Sequence, residues 1–106
     1  MVQEFTSFAY IYLGSGDEDP QRDRATITTA GLTATMVAVP REEDAVHVAR
    51  SLAHEGALAI DLCAAFSSGT TARVIEAVGP NVAVGRTTYG LEAVSALARY
   101  QEPAGV

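Results

Sequence analysis

The stretch PREEDAVHVARSLAHEGALAIDLC, residues 40–63, contains the helix and the strand that decide the fold. Three consecutive acidic residues follow Arg41 and favour the positive end of a helix dipole, while Gly56 is typical of a helix end. Residues 57–63 are almost continuously apolar, as in a parallel strand that is covered on both faces. The stretch therefore predicts a helix and then a buried strand. The helix face predicted to be buried contains Ala45, Val48, Ala49 and Leu52, which follow helical spacing.

The alternation of strand and helix continues in both directions from this stretch. Further strands are predicted at residues 5–13, 32–39 and 82–86, and further helices after Asp19-Pro20 (about two turns), from Ser67 or Ser68 to Val78, and at residues 91–100. The inner stripe of the last helix is predicted to contain Leu91, Val94, Leu97 and Ala98. Four βα units predict an α/β fold with a small parallel sheet flanked by helices, either open and three-layered or half-barrel-like.

The length of the chain predicts a single domain. Its 106 residues, 48% of them hydrophobic, suffice for one core, so we expect one α/β domain over residues 1–106. A sheet of this size exposes its edge strands, and pairing with a second copy would cover them. We therefore expect a homodimer.

The composition excludes several classes of function. All seven basic residues are Arg, and the absence of Lys excludes Schiff-base catalysis and a Walker lysine. A net charge of −6 without a basic run argues against nucleic acid as a partner. The Gly14-Ser15-Gly16 turn lacks the third glycine of a dinucleotide-binding motif, and one Cys with two His on another segment does not make a zinc site. We expect neither a cofactor nor a metal.

The cellular location is predicted from two features. Cys63 is the single cysteine and forms no intrachain disulfide, which fits a reducing cytoplasm. The N-terminus lacks the positive region of a signal peptide, and the longest apolar stretch is too short to span a membrane and contains Asp61. We expect a cytoplasmic protein without a membrane partner.

Ligands of parallel α/β folds bind at the carboxyl ends of the strands, where candidate catalytic residues are found here. Asp61 lies within a predicted strand, where a carboxylate needs a partner, and it is our candidate general base; alternatively it pairs with an Arg and is structural. Cys63 is a candidate nucleophile or a small buried hydrophobe. Tyr89 is a candidate donor or acid that walls a pocket with Phe66, or it packs under the last helix.

Candidate ligand-binding residues lie at two neighbouring strand ends. Ser67, Ser68 and Thr70 surround a predicted helix N-terminus, where N–H groups and hydroxyls bind an anion or simply cap the helix. Arg86 and Thr87 follow the next strand and are predicted to face the same crevice. The structural alternative is an ion pair between Arg86 and Asp61.

Three segments carry a resemblance to a known family. With DLCAAF, ARVIEAVG and VAVGRTTYG, the chain resembles a family of small bacterial α/β proteins described as a domain of unknown function. The resemblance implies the fold and no activity. Members of the family are Gly-rich after the cysteine, whereas Ala64, Ala65, Ser67 and Ser68 stand here, which adds side chains at the candidate site.

Two functions of different classes remain open. The first is a small cofactor-independent enzyme or small-molecule-binding protein, with proton transfer next to a carbonyl as the chemistry, of the isomerase, lyase or cyclase type. Its ligand is anionic or contains a carbonyl group. The second is a noncatalytic dimeric interaction or scaffold protein in which Asp61 and Arg86 form a structural ion pair.

Overall fold

The computed structural model describes residues 6–100 of the chain. Five strands form one sheet: β1 (Ser7–Leu13), β2 (Arg24–Thr28), β3 (Thr33–Val39), β4 (Ala59–Leu62) and β5 (Ala83–Arg86). The helices are α1 (Asp44–His54), α2 (Ser68–Val78) and α3 (Val94–Tyr100), and a short 3₁₀ turn, Leu91–Ala93, leads into α3. The predicted start of the first strand, Phe5, lies outside the described residues.

The strands are arranged in the order β2-β3-β1-β4-β5. The pairs β3–β1, β1–β4 and β4–β5 are parallel, and β2 alone runs antiparallel, beside β3 at one edge. α1 connects β3 to β4 and α2 connects β4 to β5, as in βα units with crossover helices. The predicted α/β class is confirmed.

The helix predicted after Asp19-Pro20 is wrong. Only a turn forms there, in which Asp19 O accepts hydrogen bonds from the N–H groups of Arg22 and Asp23, and the chain then enters β2. The physical reason is the run of β-branched residues at 26–28, which prefers an extended backbone and pairs with β3. The first predicted βα unit is therefore a strand followed by an antiparallel edge strand.

One face of the sheet is covered by α1 and α2. The four residues predicted for the buried face of α1 are buried, and they pack on alternate residues of the central strands. Gly56, with φ +105°, takes the left-handed conformation that follows the end of α1. The core beneath the two helices includes Ile11, Val37, Val39, Ile60, Leu62, Phe66 and Val74, each at most 1% exposed.

The other face of the sheet, which we call the open face, is formed by the intervening residues of the same strands. Two rows of register partners run across all five strands. In the order β2, β3, β1, β4, β5 they are Ala25, Met36, Tyr10, Asp61, Gly85 and Ile27, Ala34, Phe8, Ala59, Ala83. Ile27 is 68% exposed and Met36 49% exposed. Neither α1 nor α2 covers this face.

The last helix does not use the stripe that its spacing predicts to be buried. Leu91 is 90% exposed and Val94 56% exposed, and α3 contains no buried residue. The predicted burial of this stripe is wrong within residues 6–100, where Leu97 is only partly buried and no other element covers α3. The predicted helical conformation of this segment is confirmed, but the predicted burial of its apolar residues is wrong.

Candidate functional site

The predicted site residues divide over the two faces of the sheet. Asp61 pairs in register with Gly85 and lies on the open face, whereas Leu62 pairs with Arg86, which lies on the helix-covered side. The Nη1 of Arg86 donates to the backbone oxygen of Phe66 at 2.8 Å. No ion pair joins Asp61 to Arg86 within residues 6–100, so the predicted structural ion pair is not formed.

Asp61 lies over a glycine. A Cβ on Gly85 would be 2.7 Å from Asp61 Oδ1, which is closer than real Cβ contacts, so the carboxylate fills the space that a side chain at position 85 would need. Asp61 is partly buried, and its carboxylate accepts no hydrogen bond from residues 6–100. A carboxylate without a protein partner therefore stands in the middle of an apolar sheet face.

Tyr10 is the functional candidate that the sequence reasoning missed. It is the β1 register partner of Asp61, and its other neighbour in the row is Met36 on β3. The signal was present in the sequence, because aromatic residues alternate along β1 and therefore share one face. The register places a phenol and a carboxylate, a hydrogen-bond donor and a proton acceptor, on neighbouring strands of the same face, and no hydrogen bond joins them in the described chain.

Cys63 and Thr87 follow β4 and β5 with the same alternation as Asp61 and Gly85. Cys63 Sγ accepts a hydrogen bond from the N–H of Leu13 at 3.4 Å and packs against the edge of the core. The N–H of Thr87 donates to Leu62 O at 2.8 Å and continues the sheet pairing. Cys63 thus lies two residues after Asp61 and is partly buried, and Thr87 lies two residues after Gly85, the register partner of Asp61.

Tyr89 and Phe66 do not form the wall of a pocket together. Tyr89 is 58% exposed in the loop after β5, while Phe66 is 1% exposed and belongs to the core. Tyr89 also does not pack beneath α3 in the manner expected as its structural alternative, because its ring is largely in solvent.

The N-terminus of α2 already binds an anion that the chain itself supplies. Glu42 Oε1 accepts hydrogen bonds from the N–H of Ser67 at 2.8 Å and from the hydroxyl of Thr70 at 2.9 Å. The Ser67 N–H, and then the Thr70 hydroxyl, lower the pKa of Glu42 below its ordinary value. Ser67 also caps the helix by accepting from Thr70 N–H, whereas Ser68 is exposed. An external anion predicted for these donors would have to displace Glu42.

A second carboxylate of the chain occupies the turn after β1. Glu18 accepts hydrogen bonds from the N–H groups of Ser15 and Gly16, each at 2.9 Å. The Ser15 N–H, followed by the Gly16 N–H, lowers the pKa of Glu18 to about 2. Backbone N–H groups at the ends of β1 and β4 thus donate hydrogen bonds to carboxylates of the same chain. The sequence analysis missed the bond of Glu42, because it interpreted the acidic residues after Arg41 only as favouring the helix dipole.

A groove of about 370 Å³ lies on the open face beside β2. Tyr12, Ala25 and Met36 line its apolar part, and the ion pair of Arg22 with Asp23, at 2.7 Å, borders it. In residues 6–100 no three His, Cys, Asp or Glu side chains are grouped as metal ligands. The same residues include no helix with the length and apolar character needed to cross a membrane.

Comparisons with known proteins give a family without an activity. Residues 6–102 match the family of unknown function DUF6506. The match covers more than half of the chain and agrees with the resemblance of the three segments quoted above. No curated protein matches the chain. No solved structure matches it either.

Proposed function

The chain belongs to this family of unknown function, and from that premise we propose, on the geometry alone, that the protein binds a small carbonyl compound on the open face around Asp61. The observation that supports the proposal is the unpartnered carboxylate of Asp61, which is held over Gly85 in an otherwise apolar face. The protein is a cofactor-independent enzyme or a binding protein for such a compound.

Asp61 is the single charged residue in the two rows of the open face. No group of residues 6–100 donates a hydrogen bond to its carboxylate, so both oxygens can accept hydrogen bonds from a ligand. The glycine at position 85 gives the carboxylate its space and leaves its outer side free for a ligand.

Tyr10 beside Asp61 suits proton transfer next to a carbonyl. In this chemistry the Asp61 carboxylate removes a proton from the carbon atom next to the carbonyl. The electron pair of the broken C–H bond forms a C=C bond, and the π pair of the C=O bond moves to the carbonyl oxygen. The Tyr10 hydroxyl donates a hydrogen bond to that oxygen as it becomes an enolate. Return of the proton to another atom completes an isomerisation, and loss of a leaving group completes an elimination.

The carboxylates of Glu18 and Glu42 argue for a carbonyl compound rather than a phosphate. They occupy the backbone donors that would otherwise attract an anion at the ends of β1 and β4. We therefore centre the ligand on Asp61 and Tyr10, with Thr87 at the border of the site. Roles for Cys63, Ser67, Ser68, Thr70, Arg86 and Tyr89 stay predictions from the sequence.

Two further properties belong to the proposal. We place the protein in a bacterial cytoplasm, because Cys63 is a free thiol that a reducing compartment preserves. We also propose a homodimer, because the described residues leave large apolar side chains such as Leu91 and Ile27 exposed.

A thermal-unfolding screen tests the ligand. The probes are β-keto esters and aryl ketones, with small carboxylates and inorganic phosphate as comparison compounds. We expect a carbonyl compound to raise the unfolding midpoint of the wild type and to lose this effect in Asp61→Asn. The matched control is Asp17→Asn, which changes an exposed carboxylate in the turn after β1. Absence of any stabilising carbonyl compound, or equal stabilisation of Asp61→Asn, would contradict the proposal.

Proton exchange then separates catalysis from binding. In D2O, the stabilising compound should take up deuterium at the carbon next to its carbonyl about 100-fold faster with the wild type than with Asp61→Asn. Tyr10→Phe should also slow the exchange, whereas the control variant Asp17→Asn should exchange deuterium at the wild-type rate. Binding without exchange would identify a binding protein.

A noncatalytic dimeric interaction protein is the second candidate. The observation that favours it is the apolar surface left in solvent, with Leu91 90% and Met36 49% exposed. A concentration-dependent dimer with no stabilising carbonyl compound would establish this candidate over the first.

A further inference from the structure

Two apolar surfaces of the described chain lack a partner. One is the open face, where Ile27 and Met36 are 68% and 49% exposed. The other is the segment of residues 91–100, where Leu91 and Val94 are 90% and 56% exposed. Apolar exposure of this extent on two elements is typical of surfaces that associate. The two surfaces can bury each other, because the apolar side of an amphipathic helix packs well on an apolar sheet face.

We propose that two copies of this chain form a dimer in which each α3 packs across the open face of the other copy. The inference goes beyond the small-molecule site and does not depend on it. Within residues 6–100, α3 has no buried residue and contacts mainly the preceding 3₁₀ turn. Its exposed stripe is therefore available to a second copy.

The dimensions of the two surfaces match. The 3₁₀ turn and α3 together span about 16 Å at the rise per residue of such helices. Neighbouring strands lie about 4.8 Å apart, so this length crosses about four strands of the partner's sheet. A helix about 10 Å wide covers about 160 Å² of that face, so with one side of the helix each subunit buries about 500 Å², and a symmetric dimer about 1,000 Å² in total, at the lower end of specific interfaces.

The charged residue of α3 lies away from the exposed apolar stripe. Arg99 is five residues after Val94 and two after Leu97, so at 3.6 residues per turn it lies on the side of the helix opposite the stripe. The stripe of Val94, Leu97 and Ala98 carries no charge and therefore suits an apolar sheet face.

The molar mass and its response to matched substitutions test the dimer. Sedimentation of the wild type should give twice the chain mass of 11.1 kDa at high concentration. Val94→Glu and Met36→Glu should each raise the dimer dissociation constant about 100-fold. The control is Ile75→Glu on α2, because Ile75 is 50% exposed and Val94 56%. A wild-type monomer at all concentrations, or a dimer unaffected by both substitutions, would overturn the proposal.

A disulfide cross-link identifies which chain α3 covers. In a Cys63→Ala background, the double variant Met36→Cys/Val94→Cys should oxidise to a covalent dimer. A covalent monomer would show that α3 folds back on its own sheet and would overturn the exchange. Failure of a carbonyl ligand to bind would leave these results unchanged, so the two proposals are tested separately.

Discussion

The two faces of the sheet are built from alternate residues of the same strands, yet they differ in every physical property. Toward the helices, Ile60 and Leu62 of β4 are completely buried, whereas Asp61 between them is partly buried and charged. The apolar residues of the covered face are buried within one chain, whereas Ile27 and Met36 of the open face are exposed. The comparison teaches that one residue step along each strand separates a face buried beneath helices from a face that the described chain leaves partly exposed.

The polar groups show the same contrast. On the loops at the strand ends, the carboxylates of Glu18 and Glu42 are each held by hydrogen bonds from backbone N–H groups. On the open face, Asp61 has no partner in the described chain. The carboxylates of Glu18 and Glu42 thus differ from that of Asp61 in being hydrogen-bonded by backbone groups of the described chain.

The largest expected effect is the loss of a buried side chain from the covered face. Leu62→Ala should lower the free energy of unfolding by about 2–5 kcal/mol, because it removes buried methyl groups and leaves a cavity. Met36→Ala on the open face should cost less than about 1 kcal/mol at dilute protein. Urea unfolding measures both. Equal costs at dilute protein would break the distinction between the two faces.

A side chain at position 85 should have the next largest effect. Gly85→Ala places a Cβ 2.7 Å from Asp61 Oδ1 and should cost less than about 1 kcal/mol in urea unfolding, since the end of the Asp61 side chain can rotate away from the added methyl group. Gly31→Ala is the control, because nothing lies within 4 Å of its added Cβ. The cost of Gly85→Ala should fall in an Asp61→Ala background. If it does not, the contact with Asp61 is not its cause.

Asp61→Asn should have a small effect of unusual sign. Because the carboxylate has no partner in the described chain, the neutral amide should leave the unfolding midpoint unchanged or raise it. The measurement is thermal unfolding of the two proteins at one dilute concentration. A fall of several degrees would show that Asp61 has a structural partner, and the distinction between its face and the loops would be lost.

The smallest effect concerns Glu18 and acid. Its pKa in the folded protein, about 2, lies below the ordinary value of 4.5, so its contribution to stability is present above pH 4.5 and is lost as the pH falls toward 2. The difference in unfolding midpoint between wild type and Glu18→Gln should therefore shrink over that range. Glu76→Gln on α2 serves as the control, and the same narrowing there would contradict a specific role for the turn.

The sequence was sufficient where local pattern and burial coincide. Helical spacing identified the buried face of α1, and the apolar run in residues 57–63 identified β4. It failed in the segment after Pro20, where the preference of Thr26, Ile27 and Thr28 for an extended backbone prevails over a helix-start signal. Spacing alone also cannot show whether a stripe such as that of α3 meets its own chain or another.

The candidate site was predictable only in part for the same reason. Asp61 follows from the cost of a carboxylate in an apolar strand, which is a local property. Its neighbours Tyr10 and Gly85 follow from the order and register of the strands, which no single segment encodes. The bonds of Glu42 with Ser67 and Thr70 join residues 25 and 28 positions apart and are equally invisible to local pattern.

The close approach of Asp61 to Gly85 also has an evolutionary consequence. Two positions that share one small volume are not free to change independently, so across family members a larger residue at position 85 should accompany a smaller residue at position 61. Members that keep an acid at 61 should keep glycine at 85. Pairwise variation at these two positions would then separate the relatives that keep the acidic site from those that have replaced it with ordinary packing.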